Sequence, residues 1–162
     1  MPPLGHRAPG LAGAVLAHAA VQVELICDGV HVHPSMVQLA VRAKGPDGVM
    51  AITDGTAGAG LPVGSRARLG GRAIVVGEGA ATLEDGTLAG SLLTMDGAFR
   101  MLVRRAGLSL VEAARLCATT PARALGLHDS GRLAPGFRAD VVLLDRDLRV
   151  RQTWLGGVRL GT

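Results

Sequence analysis

The chain has 162 residues, of which 48% are hydrophobic and 19% are charged, and its net charge is +4. A chain of this size and hydropathy can bury a core, which excludes an intrinsically disordered protein. Its aromatic residues are two Phe and one Trp, so it lacks the platforms on which single-stranded nucleic acids stack.

Charge and apolar patterning predict neither a nucleic-acid partner nor a membrane span. The 17 basic residues are scattered rather than gathered into an arm or stripe. No uninterrupted apolar run reaches the length of about 18 residues that a span needs, and the polar, proline-rich start is not typical of a signal peptide. Cys27 and Cys117 lie far apart in apolar segments, which indicates free thiols in a reducing compartment. We therefore expect a cytoplasmic protein.

The first third of the chain predicts a parallel strand–helix–strand unit. After a loop rich in Pro and Gly, an Ala-rich segment suits a short helix, and two β-branched runs then flank an amphipathic helix that opens at Pro34. The predicted elements are a helix over 11–20, a buried strand over 21–26 that resumes at 30–32, a helix over 34–43 and a strand over 49–53. Parallel strands joined by a helix are typical of α/β folds.

The remainder predicts short strands, then helices, then strands again. Gly-rich turns separate the strands, Ser109 and Glu112 have the spacing of a capping box, and Thr120 followed by Pro121 predicts the start of a further helix. The predicted strands cover 66–69, 72–76, 80–83, 139–144, 150–154 and 158–160, and the predicted helices cover 94–106, a segment from 109 and one from 120 to 126.

Polar side chains follow both strands of the parallel unit. Asp28 and His31 come after the first strand, Asp54 comes after the second, and Arg7 lies in the opening loop. The carboxyl ends of parallel strands carry the chemistry in α/β folds, and a carboxylate there can act as a general base. From the residues alone, however, an acid before Gly55 is more often a turn residue.

The His-x-His spacing of His31 and His33 allows two interpretations. On a strand, both rings would lie on one face, which is an arrangement that can hold a metal. His33 precedes Pro34, however, which favours a role at the entry to the helix.

Several motifs together resemble the N-acetylglucosamine-6-phosphate deacetylases of the metal-dependent amidohydrolase superfamily. The motifs are Met-Pro-Pro-Leu-Gly-His-Arg-Ala-Pro-Gly-Leu-Ala-Gly at 1–13, Cys-Asp-Gly-Val-His-Val-His-Pro at 27–34, Ile-Thr-Asp at 52–54, Glu-Asp-Gly-Thr-Leu-Ala-Gly-Ser at 84–91, and Ala-Thr-Thr-Pro-Ala-Arg-Ala-Leu-Gly at 118–126. The resemblance covers essentially the whole chain but only the C-terminal portion of the family's proteins.

The resemblance implies an α/β fold that is the C-terminal part of a TIM-like (β/α)8 barrel. Residues 1–130 would hold the last two barrel strands and their helices, with an inserted β-hairpin region at about 64–90. Residues 131–162 would supply strands of a small β-sandwich domain. Two barrel strands alone leave barrel-facing side chains uncovered, so we expect exposure of Val23, Leu25, Ile26, Val49 and Ile52.

The resemblance also implies roles for individual residues. Asp54 matches the family's catalytic acid/base, and His31 matches a residue that contacts substrate. Arg7 matches the residue that grips the phosphate, a role that suits its bidentate guanidinium. Leu88, Ala89 and Gly90 match positions that meet substrate largely through their backbone.

The implied reaction is hydrolysis of N-acetylglucosamine 6-phosphate to glucosamine 6-phosphate and acetate. The family uses a divalent metal, zinc or a similar ion, bound by a Glu and two His that this chain lacks, so no metal ligand is expected here. The expected partners are a phosphorylated amino sugar and a second subunit in a homodimer. Two alternatives remain: a non-catalytic truncated remnant, and another amidohydrolase that acts on cyclic amides.

Overall fold

The computed structural model describes residues 3–161, and these residues form an α/β fold. The helices are α1 (Gly10–Ala17), α2 (Pro34–Lys44), α3 (Met95–Arg104), α4 (Leu110–Ala114) and α5 (Thr120–Ala124), with a π-helical segment (Arg115–Thr119) between α4 and α5. The strands are β1 (Val23–Ile26), β2 (Val49–Ile52), β3 (Arg66–Leu69), β4 (Arg72–Val76), β5 (Ala81–Leu83), β6 (Val141–Leu144), β7 (Val150–Leu155) and β8 (Val158–Arg159). Met1, Pro2 and Thr162, which belong to the predicted outer segments, lie outside the described residues.

The predicted parallel crossover unit is confirmed. β1 and β2 pair in parallel from Val23 opposite Val49 to Ile26 opposite Ile52, and α2 connects them. Both strands therefore end at the same edge of the sheet, as the sequence predicts. The expected return to strand structure at 30–32 is wrong, because the backbone bends there around the side chain of Asp28.

One face of the two-stranded sheet packs on the helices. Val49 and Ala51 of β2 are buried together with Val37 of α2 and Leu102 of α3 in the larger core cluster. Burial of each large side chain of this kind stabilises the fold by about 1.5–3 kcal/mol. The expected exposure of Val49 is therefore wrong, because the helices cover its face of the sheet.

The opposite face of the same sheet has the side chains that alternate with Val49 and Ala51. Met50 and Ile52 of β2 are half-buried, and so is Ile26 beside them on β1. Ile26 and Ile52, which we expected to be exposed, are therefore only partly exposed.

α2 begins at the residues that the sequence indicates. His33 is the N-cap, and its Nδ1 accepts the backbone N–H of Ser35 at 3.2 Å. Pro34 occupies the first turn, where its missing N–H leaves no bond unmade. The prediction that His33 is a helix-entry residue is confirmed.

The strands between residues 66 and 83 form a separate antiparallel sheet in the order β3-β4-β5. This sheet has its own small core, in which Ile74 and Ala81 pack with Ala89. The segment after β5 then returns to the parallel unit, where Ser91 pairs with Gly55 just beyond β2. This antiparallel sheet is therefore connected to the carboxyl end of β2.

The predicted helix from Thr120 is confirmed as α5, which follows the π-helical segment without a break. The Thr120 N–H bonds to the carbonyl of Arg115, five residues back, which makes the turn before Pro121 a π turn. Proline lacks the N–H that an α-helix would need, and the wider turn accommodates it without a break.

The third sheet, β6-β7-β8, is antiparallel, and the turn between β6 and β7 contacts α3. Arg100 and Arg104 of this helix each donate at 3.0 Å to backbone carbonyls in the turn between β6 and β7. Among residues 3–161, no helix has both the length and the apolar character that crossing a membrane requires.

Candidate active site at the carboxyl ends of the parallel strands

The two parallel strands bring the residues that come after them to one edge of the sheet. Ile26 and Ile52 are the last paired residues, and Asp28 and Asp54 each stand two positions further on. This is the edge at which parallel α/β folds place their functional groups.

Asp54 has a left-handed backbone conformation and an exposed side chain. Its φ of +48° is one of two positive values among the non-glycine residues that the structure describes. Such a conformation stores about 1–3 kcal/mol of strain and persists only where neighbouring contacts impose it. The contact at Asp54 is a hydrogen bond from the Ser91 N–H to the Asp54 carbonyl at 3.0 Å.

Ser91 anchors the predicted substrate loop against the end of β2. It is fully buried, and its carbonyl accepts the N–H of Thr56 at 3.1 Å while its N–H bonds to Asp54. Its Oγ also accepts the N–H of Leu93 at 2.9 Å, which holds the chain on its way to α3. The structure thus brings the predicted loop and Asp54 together.

The three predicted loop residues have different environments. Leu88 is exposed and faces Thr82 across a β-bridge. Ala89 is buried, and its N–H bonds to the Ala81 carbonyl at 2.9 Å. Gly90 has a φ of +77° and lies against Thr56. The backbone of this loop is therefore fixed on both sides.

Gly90 occupies a position that a larger residue does not fit. A Cβ there would lie 2.3 Å from the Thr56 methyl carbon and 3.4 Å from the Asp54 carbonyl oxygen. The absence of a side chain at Gly90 is what lets the loop lie directly on the backbone of Asp54.

His31 lies in a tight turn after β1 and is held by Asp28. Asp28 Oδ2 is 2.6 Å from His31 Nδ1, and Asp28 Oδ1 accepts the backbone N–H groups of Val30 at 2.8 Å and His31 at 2.9 Å. Burial raises the pKa of the Asp28 carboxyl, but the hydrogen bonds from His31 and from the two backbone N–H groups outweigh it and bring the pKa below its ordinary value. Asp28 is therefore an ionised carboxylate at neutral pH.

Arg7 is exposed in the segment before α1. None of the hydrogen bonds or ion pairs within residues 3–161 joins it to Asp54, His31 or the loop at 88–90. The structure therefore does not bring Arg7 into contact with the other predicted site residues.

Three residues for which the sequence predicts no role in the site contribute to its geometry. Asp28 orients His31, while Ser91 and Thr56 fix the loop beside Asp54. The Asp-Gly pair before His31 is a local signal for the first. No local signal identifies the other two, because their contact joins residues 35 positions apart.

The cysteines are free thiols in or beside the larger core. Burial raises the pKa of Cys27 to about 12, with smaller contributions from Cys117 and Asp28, and burial also raises the pKa of Cys117 to about 12. Both side chains are therefore neutral at physiological pH and unreactive as nucleophiles.

The donor groups of this part of the chain do not form a metal site. Within residues 3–161, no three or more His, Cys, Asp or Glu side chains are grouped so that they could hold a metal ion. Asp28 is occupied by His31 and by two backbone N–H groups. His33 is turned to the start of α2, so the two histidines are not a ligand pair.

The sequence matches the model of the amidohydrolase family over residues 13–160. The chain belongs to this family, which is generally metal-dependent. The curated relatives include an N-acetylglucosamine-6-phosphate deacetylase from Lysinibacillus sphaericus, 40% identical over 157 residues, which are 97% of this chain and 40% of the relative. A putative N-acetylgalactosamine-6-phosphate deacetylase from Escherichia coli K12 is also 40% identical, over 95% of this chain and 92% of its own length.

The structure of the chain is also similar to solved structures of such deacetylases. A mutant N-acetyl-D-glucosamine-6-phosphate deacetylase from Mycobacterium smegmatis, solved in complex with N-acetyl-D-glucosamine-6-phosphate, matches 98% of this chain with a TM-score of 0.91 and 40% identity. The match covers 42% of that protein. The resemblance to the N-acetylglucosamine-6-phosphate deacetylases is confirmed, and the chain spans about 40% of the length of the first of these relatives.

Proposed function

We propose that this chain forms the C-terminal portion of a deacetylase that hydrolyses N-acetylglucosamine 6-phosphate to glucosamine 6-phosphate and acetate. The observation that carries the proposal is the contact of the Ser91 N–H with the Asp54 carbonyl, which fixes a glycine-bearing loop beside a strand-end carboxylate. The relatives with this activity in their names match the chain from end to end. The chain spans 40% of the length of the first of these relatives.

In this proposal, β1 and β2 are the last two strands of an eight-stranded (β/α)8 barrel, and the strands after residue 131 belong to a small β domain. The parallel register of β1 and β2 supports the first assignment. The separate antiparallel sheet β6-β7-β8 supports the second.

Asp54 is the acid/base of the proposed reaction. Water adds to the amide carbonyl carbon while the Asp54 carboxylate takes one of its protons. The C–N bond then breaks, and Asp54 returns the proton to the departing amine. The exposure of Asp54 at the edge of the sheet makes it accessible to both water and substrate.

The other predicted residues bind the sugar. His31 lies on the neighbouring strand end, where its ring would meet the acetyl amide. The backbone of Leu88, Ala89 and Gly90 would line the sugar, and Arg7 would grip the 6-phosphate. Arg7 does not contact the other groups, and a site completed by a second subunit of a homodimer would account for this.

The metal of the family, zinc or a similar divalent ion, does not fit the residues of this chain. Residues 3–161 have no cluster of ligands for it, so the ligands would come from strands that the chain does not contain. The two neutral, free thiols support a reducing cytoplasmic location.

A chimera tests the proposal. The portion of the Lysinibacillus sphaericus relative that precedes the matched region is joined to residue 1 of this chain, and acetate and amine release from N-acetylglucosamine 6-phosphate are measured with added zinc. The chimera should hydrolyse the substrate, whereas the chain alone should not. A folded, metal-loaded chimera without turnover, beside an active parent relative, would show that the chain is a non-catalytic remnant.

A matched pair of variants assigns the activity to Asp54. Asp85, like Asp54, is an exposed aspartate directly before a glycine. Asp54→Asn should abolish most turnover of the chimera, and Asp85→Asn should leave it intact. Equal losses would indicate a general effect of removing a turn carboxylate.

N-acetylgalactosamine 6-phosphate is a second candidate substrate, because relatives named for it have the same 40% identity. The two sugars differ only in the orientation of one hydroxyl group. The ratio of kcat/KM for the two in the chimera decides between them, and a cyclic amide in the same assay tests the remaining alternative.

A further inference from the structure

The turn at 28–31 contains a carboxylate–imidazole pair, formed by Asp28 and His31, in which each carboxylate oxygen has its own contact. The side chain of Asp28 is only 4% exposed, and that of His31 is 17% exposed. Asp28 Oδ1 is taken up by two backbone N–H groups, while Oδ2 faces His31 Nδ1 at 2.6 Å. Oδ1 therefore stabilises the turn, and Oδ2 holds the imidazole ring.

The chemistry of the pair fixes the position of a proton. An ionised carboxylate only accepts hydrogen bonds, and all three groups around Asp28 must therefore donate. His31 Nδ1 then carries a proton, and Nε2 is the ring atom that remains free.

His33, two residues further on, has the opposite arrangement. Its Nδ1 accepts the backbone N–H of Ser35 at 3.2 Å. A nitrogen that accepts cannot carry a proton, so the neutral ring of His33 has its proton on Nε2. The two histidines of one short segment are therefore expected to be opposite tautomers.

We propose that Asp28 is a positioning residue that keeps a proton on His31 Nδ1 and so directs Nε2 toward the substrate. The assignment of Nε2 to the substrate rests on the proposed function, whereas the tautomer does not. While the ring is neutral, Nε2 accepts a hydrogen bond from a substrate N–H or O–H. When the ring takes up a second proton, Nε2–H donates to the amide carbonyl oxygen.

The competing explanation is that Asp28 only shapes the turn. Asp28→Asn separates the two tasks, because the amide oxygen still accepts the backbone N–H groups of Val30 and His31. The amide NH2 would then face His31 Nδ1 and donate to it, which moves the ring proton to Nε2. The turn is kept and the tautomer is reversed.

The experiment is a long-range ¹H–¹⁵N correlation spectrum of the ¹⁵N-labelled 162-residue chain at alkaline pH, where histidine rings are neutral. His31→Gln assigns the resonances of His31. In the unmodified chain, His31 should show a protonated Nδ1 and an unprotonated Nε2, and His33 should show the reverse. In Asp28→Asn, the two ¹⁵N resonances of His31 should exchange ranges, so that it resembles His33.

Asp145→Asn is the matched control. Asp145 Oδ1 also accepts two backbone N–H groups, those of Asp147 and Arg149, both at 2.9 Å, but no imidazole contacts it. This variant should leave the tautomer of His31 unchanged.

An Nε2–H tautomer of His31 in the unmodified chain would overturn the proposal, even if the Asp28 variant fails to fold. An unchanged Nδ1–H tautomer in a folded Asp28→Asn protein would also overturn it. The samples contain no substrate, so a chimera without deacetylase activity leaves this result standing. Conversely, a wrong tautomer leaves the activity of the chimera standing.

Discussion

Substitution of Gly90 by Ala tests whether the loop at 88–91 is held on Asp54 as the structure shows. The new Cβ would lie 2.3 Å from the Thr56 methyl carbon, well inside van der Waals contact, and 3.4 Å from the Asp54 carbonyl oxygen. Neither neighbour moves freely, because Thr56 and Asp54 are both hydrogen-bonded to Ser91. We expect the loop to lose stability and to shift away from the strand end.

Two contributions set the magnitude. Gly90 has a φ of +77°, and a left-handed conformation costs a residue with a Cβ about 1–2 kcal/mol. Forcing an extra carbon into a packed site adds about 1–3 kcal/mol. The free energy of unfolding should therefore fall by about 2–5 kcal/mol in total.

Gly86, in the same region, provides a control for the backbone contribution alone. Its φ is +82°, and a Cβ there would meet nothing within 4 Å. Gly86→Ala should therefore lower the free energy of unfolding by only about 1–2 kcal/mol. The difference between the two variants isolates the steric contact with Thr56.

Urea unfolding of the two variants and the unmodified chain measures these differences. Thr56→Ser removes the methyl group but keeps the hydroxyl that accepts the N–H of Gly58. Introduced beside Gly90→Ala, it should recover most of the steric part, which a double-mutant cycle reports directly. Equal losses in Gly86→Ala and Gly90→Ala, with no recovery by Thr56→Ser, would refute the close contact of the loop with the strand end.

Three further predictions concern the chemistry of the site and the core. In the chimera, Asp54→Asn should lower kcat by about 10²–10⁴-fold through loss of proton transfer, with substrate and metal binding retained. Near-normal turnover would show that Asp54 is a turn residue and not the general acid/base. Arg7→Ala should raise KM for the 6-phosphorylated sugar by about ten- to a hundred-fold and change little for the unphosphorylated sugar; equal losses on both sugars would exclude phosphate binding. The pKa values of Cys27 and Cys117 are raised from 9.0 to about 12 in the folded state, so the unfolded chain releases these protons first. The free energy of unfolding should then fall between about pH 9 and pH 12, by about 1.4 kcal/mol per pH unit for each thiol. If Cys27→Ala leaves the slope of the free energy of unfolding against pH unchanged, Cys27 does not contribute to this fall.

The sequence predicts the local elements well where one strong signal decides them. The β-branched runs mark β1 and β2, and the Gly-rich turns separate β3, β4 and β5. The prediction of a strand at 30–32 fails because β-branched residues compete there with the Asp28 carboxylate, which binds the backbone N–H groups of Val30 and His31. A side chain that satisfies the backbone locally removes the need for a ladder.

The candidate site is only partly visible in the sequence. The strand-end rule brings Asp28 and Asp54 to one edge, but it does not distinguish a catalytic acid from a turn acid. The contact that fixes the backbone of Asp54 is made by Ser91, which lies far along the chain beyond a complete antiparallel sheet. Pairing over such a distance depends on how the intervening sheet packs, and no local pattern encodes it.

The two faces of the parallel sheet explain how the candidate site is held by contacts within this chain. Val49 and Ala51 are buried against the helices, so β2 is held in place by contacts within the chain. Asp54 is fixed in turn by Ser91, and His31 by Asp28. None of these contacts uses the opposite face, where Met50 and Ile52 are half-buried. Asp54 and the loop at 88–91 are thus held by contacts within this chain, and in the proposed enzyme the remaining strands would supply the metal ligands and cover that face. We therefore expect that the contacts of Asp54 will be the same in an active chimera as in this chain alone.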